Sequence, residues 1–353
     1  MTKRGIVTAV MGIAFGLLTG APAPAWDRGD VGVLAVLPDV APDQPSSVEG
    51  LTVGPDGNIY VPSFGFNTAG ALSGNAALFV IRPDGALVRK VTIANSSPHM
   101  LGLRFNPVNG ALLVLDFGAG KVLRVDPLTG ASSVFMTPTI AGAGLNALTF
   151  DKRGNAYISD SFNGIVWKTG PNGGTPTIWS DSPLLGPGTG LTPPFGANGV
   201  EFNNAGTILY VANTAFHQII QIPVKADGTA GAASIFITGI NAPDGVAIDK
   251  HDNLWVCANQ EDDIIVLDKT GKVIAKLGDF NGISERGLVR GLLFPASLAF
   301  GLDGKTLYVS NLTLFLPYAG AQAAVDSPWT LQVKRYTVAK LRAAIPPLGD
   351  DED

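Results

Sequence analysis

The chain is poor in the residues that usually announce chemistry. It holds one cysteine, Cys257, and three histidines among 353 residues. A lone thiol excludes an intramolecular disulfide and a C-x-x-C pair. Within Leu254-Trp255-Val256-Cys257-Ala258 it reads as a buried, inert side chain. Charge is also scarce: 15% of residues are Asp, Glu, Lys or Arg, the formal net charge is −5, and no basic block occurs, which argues against a nucleic-acid partner. Beyond residue 25 no apolar run approaches bilayer-spanning length. The G-x-S-x-G elbow, the H-E-x-x-H helix and the G-x-x-x-x-G-K-[ST] loop are all missing. The stretch Gly186 to Gly190 lacks the preceding strand and following helix that a nucleotide site needs.

What the chain has in quantity is glycine and proline, 44 and 25 residues, within a composition that is 46% hydrophobic. That suits a turn-rich all-β domain with a large core. The first 25 residues stand apart. Lys3 and Arg4 form a basic start, Ile6 to Leu18 an apolar segment, and Ala23-Pro24-Ala25 an A-x-A site. This pattern predicts a secretory signal peptide over residues 1–25, a mature N-terminus at Trp26, and a periplasmic or secreted protein with no membrane span after cleavage. Residues 26–349 form the expected domain, and the acidic tail 350–353 is expected to be disordered.

One unit recurs along the domain. In Ala242 to Asp268 an acidic residue at a tight turn, Asp244-Gly245, opens a short alternating strand, then a polar turn, a second apolar strand and a third. Equivalent units begin at positions 49, 101, 146, 198, 244 and 296, at intervals of 52, 45, 52, 46 and 52 residues. A period of roughly 40–50 residues of short strands marks a propeller blade. The last unit has its third strand at Leu331 to Val338 and then runs out of chain, whereas Val31 to Leu37 is a strand without a hairpin partner. The predicted fold is therefore a six-bladed β-propeller closed by the N-terminal strand, which completes the last blade.

Meander topology assigns faces. The turns between first and second strands are uniformly tight. The long insertions Pro62 to Ala76, Asp181 to Gly196, Asn281 to Pro295 and Leu312 to Trp329 all fall on the opposite face, beside the six first positions. Those positions are Glu49, Leu101, Asn146, Asn198, Asp244 and Ala296, so two carboxylates and two carboxamides converge on the mouth of the channel. Such hard oxygen donors suit Ca²⁺ or another divalent cation, and the ring offers zinc no His or Cys. The alternative is that these side chains only satisfy turn backbones.

Two histidines are placed near this face. His99, two residues before the second ring position, is a candidate general base or proton shuttle, or a loop histidine bonded to backbone. His217 is placed to orient its neighbours or to react, while His251 belongs to a turn on the far face. Arg286 and Arg290 are either carboxylate binders or solvated loop charges.

The phrases VEGLTVGPDGNIYV, GANGVEFNNAGTILYVANTAFHQI and APDGVAIDKHDNLWV resemble the senescence-marker-protein/gluconolactonase/luciferin-regenerating family, which is related to paraoxonase and diisopropyl-fluorophosphatase. The resemblance runs through nearly the whole mature chain. It implies a six-bladed propeller with a divalent metal at the top of the channel and hydrolysis of lactones or phosphoesters. By position, Glu49, Asn198 and Asp244 match the family's metal ligands. Asn146 matches an asparagine that contacts metal in some members and substrate or water in others. The sequence departs from the sugar-lactone enzymes just before Asn146. Where they carry an arginine, this chain reads Ala141-Gly142-Ala143-Gly144-Leu145, and its insertions offer Phe64, Phe66, Leu184, Leu185, Phe195, Phe315 and Leu316. The expectation is a Ca²⁺-dependent hydrolase of a small lactone or ester of low polarity. Asp244 or Glu49 would activate water with help from His99, and Glu49, Asn146, Asn198 and Asp244 would hold the metal. The other reading is a non-catalytic exported propeller that binds a small ligand or a protein through the same loop face.

Overall fold

Each repeat folds as a four-stranded antiparallel sheet, because short runs of β-branched and aromatic residues alternate with Gly, Asp and Asn turns. The computed structural model describes residues 30–188, 194–319 and 327–343. The expected signal peptide and acidic tail lie outside the described residues. Blade one comprises Thr52–Val53, Ile59–Pro62, Ala77–Ile81 and Leu87–Thr92, and blade two Met100–Phe105, Leu112–Asp116, Lys121–Val125 and Ser132–Met136. Blade three comprises Leu145–Phe150, Ala156–Asp160, Ile165–Thr169 and Thr177–Ser180, and blade four Ala197–Phe202, Ile208–Asn213, Gln218–Pro223 and Ser234–Thr238. Blade five is Pro243–Ile248, Leu254–Ala258, Asp263–Leu267 and Val273–Leu277. Blade six takes Pro295–Phe300, Thr306–Asn311 and Thr337–Arg342 from the C-terminal part of the chain and Gly32–Val36 from its N-terminal part.

The six-bladed propeller and its closure are as the repeats predict. The N-terminal strand pairs antiparallel with Thr337–Arg342, placing Gly32 opposite Lys340 and Val36 opposite Thr337. The third strand of blade six differs from expectation: it begins at Thr337, not at Leu331. Val333 and Tyr336 are buried among Phe294, Leu312 and Leu314 above the channel. This segment therefore pins a cap over the site face before the chain enters the sheet.

Among the described residues, apolar side chains gather in seven clusters. Six fill the spaces between successive blades, one for each neighbouring pair around the ring. The pair formed by blades six and one draws on Leu34 and Ala35 of the N-terminal strand, so closure is sealed by packing as well as by backbone pairing. The seventh joins Phe64, Phe66 and Leu101 to Leu293, Phe294, Leu312 and Leu314, and it lies at the cavity end of the channel.

The inner strands share a device at the ring positions. In blades two to six the register with the second strand shifts at the ring residue, between Met100 and Leu103, Leu145 and Leu148, Ala197 and Val200, Pro243 and Val246, and Pro295 and Ser297. A bulge leaves residues unpaired and re-aims their side chains, here toward the channel. Glycine often follows the ring residue because the next inner strand comes very close. A Cβ on Gly199 would sit 2.2 Å from the Asp244 carbonyl oxygen, and one on Gly245 would sit 2.5 Å from that of Ala296.

Candidate active site and metal centre

Five of the six ring residues, Glu49, Leu101, Asn146, Asn198 and Asp244, line one cavity of about 130 Å³ at this end of the channel. The sixth, Ala296, is fully buried in the adjoining cap cluster. The floor is polar, with Thr214, Asn259 and Gln260 beside the ring. The wall is apolar and comes largely from the insertions and from the loops after the second strands. Phe64, Phe66, Phe195 and Leu316 line it as anticipated, joined by Phe117, Phe162, Leu312 and Leu314. Leu184 and Leu185 instead pack into the cluster between blades three and four, and Phe315 stacks edge-on against Tyr318, so these three are not part of the wall.

The hydrogen bonds of the floor leave oxygens over. Asn198 Nδ2 donates to Thr214 Oγ1 at 2.9 Å, and Thr214 Oγ1 donates to the Pro243 carbonyl at 2.8 Å. Asp244 Oδ2 accepts from Asn259 Nδ2 at 3.1 Å. Asn146 Oδ1, Asn198 Oδ1 and Asp244 Oδ1 are buried with no hydrogen-bond partner. Native interiors seldom leave buried acceptors unpaired, and three beside one cavity call for a common donor or cation. Glu49 is 6% exposed, and among the described residues no Lys, Arg or His forms an ion pair with it or with Asp244. Burial pushes the Glu49 carboxyl well above the ordinary carboxylate range, and the charge of Asp244 pushes it further. Burial also raises Asp244, while the neighbouring amides of Asn198 and Asn259, the latter by its hydrogen bond to Oδ2, pull it partly back.

This donor set fits a hard divalent cation. It offers two carboxylates whose ionisation burial disfavours, and two amides whose oxygens are buried without a partner beside the same cavity. The fit is to Ca²⁺ chemistry rather than to zinc, because among the described residues no histidine or cysteine lines the cavity. Among the described residues no group of three or more His, Cys, Asp or Glu is placed to hold a metal. The site thus depends on its amides as much as on its carboxylates.

The remaining candidates sit away from the floor. His99 is not in the lining. Its Nδ1 is 2.9 Å from the Phe64 carbonyl oxygen, and its ring stacks on Phe66 with centroids 4.5 Å apart. His217 accepts at Nδ1 from the Ala242 amide at 2.9 Å, which holds Ala242 at a φ of 48° two residues before Asp244. Arg286 and Arg290 are exposed and do not line the cavity. Cys257 is fully buried, and desolvation drives its thiol upward, away from reactivity.

Ring position alone did not reveal Phe117, Phe162, Thr214, Asn259 or Leu312. Antiparallel register would have found them. Asp116, Asp160, Asn213, Ala258 and Asn311, which end the second strands, lie opposite Met100, Leu145, Ala197, Pro243 and Pro295. The residue or two that follow each of them therefore lie just beyond the ring, on the side where the insertions gather.

Residues 192–313 match the family described as the SMP-30/Gluconolactonase/LRE-like region. A lactonase, drp35, of Staphylococcus haemolyticus is 30% identical over 138 residues, which is 38% of this chain and 41% of the lactonase. A gluconolactonase structure from Xanthomonas campestris superimposes with a TM-score of 0.59 at 15% identity, covering 88% of this chain and 89% of the other. Regucalcin of Agrobacterium tumefaciens, a calcium-binding protein, gives a TM-score of 0.59 at 17% identity, covering 88% and 95%. At such identities the two structures show a shared fold, and the match to the lactonase spans less than half of that protein's length. The resemblance carried by the repeat phrases is thus borne out, and the chain is a six-bladed β-propeller with an SMP-30/gluconolactonase/LRE-like region at residues 192–313.

Proposed function

We propose that this protein is a divalent-metal-dependent hydrolase of small, low-polarity lactones or esters. The observation that carries the reading is the set of three buried, unpartnered oxygens of Asn146, Asn198 and Asp244 beside Glu49, at the foot of an apolar cavity. These four residues would hold the cation. When bound, Ca²⁺ supplies Lewis-acid polarisation of the ester carbonyl and a positive field for the developing oxyanion. Among the described residues, Glu49 and Asp244 are the carboxylates that line the cavity, so one of them takes the proton from the attacking water. The phenylalanine wall shields that step from bulk solvent and seats an apolar substituent. His99 braces the wall through Phe64 and Phe66 and does not move the proton. The absence of a polar approach before Asn146, with Ala143 and Leu145 buried there, favours an alkyl or aryl lactone over a sugar lactone.

The test is turnover of a panel of alkyl lactones, aryl esters and a sugar lactone, each with Ca²⁺ and with chelator. Hydrolysis of the apolar members that stops in chelator is the expected result. No turnover of any member by the Ca²⁺-loaded protein would favour a binding role, and turnover unchanged by chelator would remove the metal from the mechanism. The N-terminal pattern supports an exported setting, in which the mature chain starts at Trp26. An exported product whose N-terminal sequence begins at Met1 would rule this out.

A further inference from the structure

We infer that Thr214 is a positioning residue that turns the Asn198 amide so that its oxygen faces the cavity, and that it ties this oxygen to the segment carrying Asp244. The inference rests on the metal reading for its consequence, though not for its geometry. The Pro243 carbonyl can only accept a hydrogen bond, so the Thr214 hydroxyl, 2.8 Å away, gives its proton there. Its remaining bond to Asn198, at 2.9 Å, must then be one that it accepts, and the only donor on that side chain is Nδ2. The amide oxygen is left pointing elsewhere, buried and unpartnered beside the cavity that Asn198 itself lines. A flipped amide would present its NH₂ to the cavity and to any cation there, which repels it.

The same hydroxyl reaches across two blades. Thr214 follows the second strand of blade four, whereas Pro243 starts the inner strand of blade five, one residue before Asp244. Two further contacts fix that segment: the Ala242 amide donates to His217 at 2.9 Å, and Asp244 Oδ2 accepts from Asn259 at 3.1 Å. Thr214 is the member of this clamp that touches both the Asn198 amide and the Asp244 segment. It is buried, at 7% exposure, so water does not readily replace its hydroxyl. Removing that hydroxyl frees the amide to turn and loosens the backbone ahead of Asp244.

The experiment is a double-mutant cycle between Thr214→Val and Asn198→Asp, with Thr214→Ser as the conservative control. It is read by Ca²⁺ calorimetry and by the side-chain amide resonance of Asn198 in ¹⁵N-labelled protein. A carboxylate at 198 has two equivalent oxygens, so its orientation is immaterial. Thr214→Val is expected to weaken Ca²⁺ binding by about 10–100-fold, the range seen when a partner that orients a metal ligand is lost. Ser should restore binding, and in the Asn198→Asp background the Val substitution should cost no more than the about twofold scatter of independent sites. The amide resonance should move in Thr214→Val and stay in Thr214→Ser. An equal loss in both backgrounds would mean that Thr214 only supports the fold and would overturn the inference, as would unchanged affinity in Thr214→Val or failure of Ser to rescue. If the wild-type protein binds no divalent cation, the metal reading falls. The resonance then decides the orientation by itself: a shift specific to Val upholds it and an unmoved signal overturns it.

Discussion

Asp244 lies in the inner strand Pro243–Ile248 and Asp249 directly follows it; they share a charge and a residue type, and the structure gives them opposite work. Asp244 is 6% exposed in the cavity floor with Oδ1 unpartnered. Asp249, at the far end, is saturated. Its Oδ1 accepts from the amides of His251 at 2.8 Å and Asn253 at 3.0 Å, while Oδ2 accepts from Asn253 Nδ2 at 2.8 Å and Trp255 Nε1 at 3.1 Å. Asp244→Ala should abolish measurable Ca²⁺ binding and any hydrolysis. Asp249→Ala should leave binding intact and cost about 1–3 kcal/mol of stability, because it strands the indole N–H of a buried tryptophan. Calorimetric titration and denaturant melts of the two variants check this, and a greater loss of binding in Asp249→Ala would place the site on the wrong face. Glu49, Asn146, Asn198 and Asp244 were legible in the sequence because one register position recurs in every repeat. Thr214 and Asn259 were not, since their role depends on which groups they bond across a blade boundary.

At the scale of elements, the N-terminal strand Gly32–Val36 is an outer strand with much to seal. It covers the free edge of Thr337–Arg342, and its Leu34 and Ala35 pack with Ile59, Val61 and Phe79 of blade one and with Tyr308 and Val338 of blade six. A chain that starts at Pro38 would expose that edge and open the boundary between first and last blades, so it should aggregate. Size-exclusion chromatography and thermal melting of the truncated chain provide the test; a monomer with unchanged melting would refute the sealing role. The closure was legible because a strand without a hairpin partner faced a blade short of one strand. The start of the third strand in blade six was not legible. Leu331 to Val338 alternates like a strand, and only the burial of Val333 and Tyr336 in the cap shows why the sheet begins at Thr337.

Across the whole molecule, a cation held at the proposed site would tie occupancy to stability through the buried carboxylates Glu49 and Asp244. Asp244 is raised to about 8 without a cation, by burial foremost. A carboxyl raised in the folded state contributes stability that is fully present below its unfolded value, about 3.9, and is lost as pH rises through the folded value. In chelator the protein should therefore melt higher at pH 6 than at pH 9. Ca²⁺ bound only by the native state adds about 2.7 kcal/mol at a hundredfold excess over Kd. Because the cation competes with the proton, its stabilisation should be larger at pH 9 than at pH 6. Melting curves with and without Ca²⁺ at the two pH values test both signs, and a Ca²⁺ effect that shrinks at high pH would contradict binding through the buried carboxylates.

From the sequence by itself came the number of blades, the closure, the face on which the long loops gather and the ring of oxygen donors. All of these follow from periodicity and from the alternation that meander geometry forces on a repeating chain. Only the tertiary structure decided which oxygens are left without partners, which phenylalanines form the wall, and that His99 stands behind it. Those outcomes depend on hydrogen bonds and packing between residues far apart in the chain, such as Thr214 with Pro243 or His99 with Phe64. A local pattern can place a side chain at a register position. Whether its polar atoms are already satisfied there depends on neighbours that the pattern does not contain.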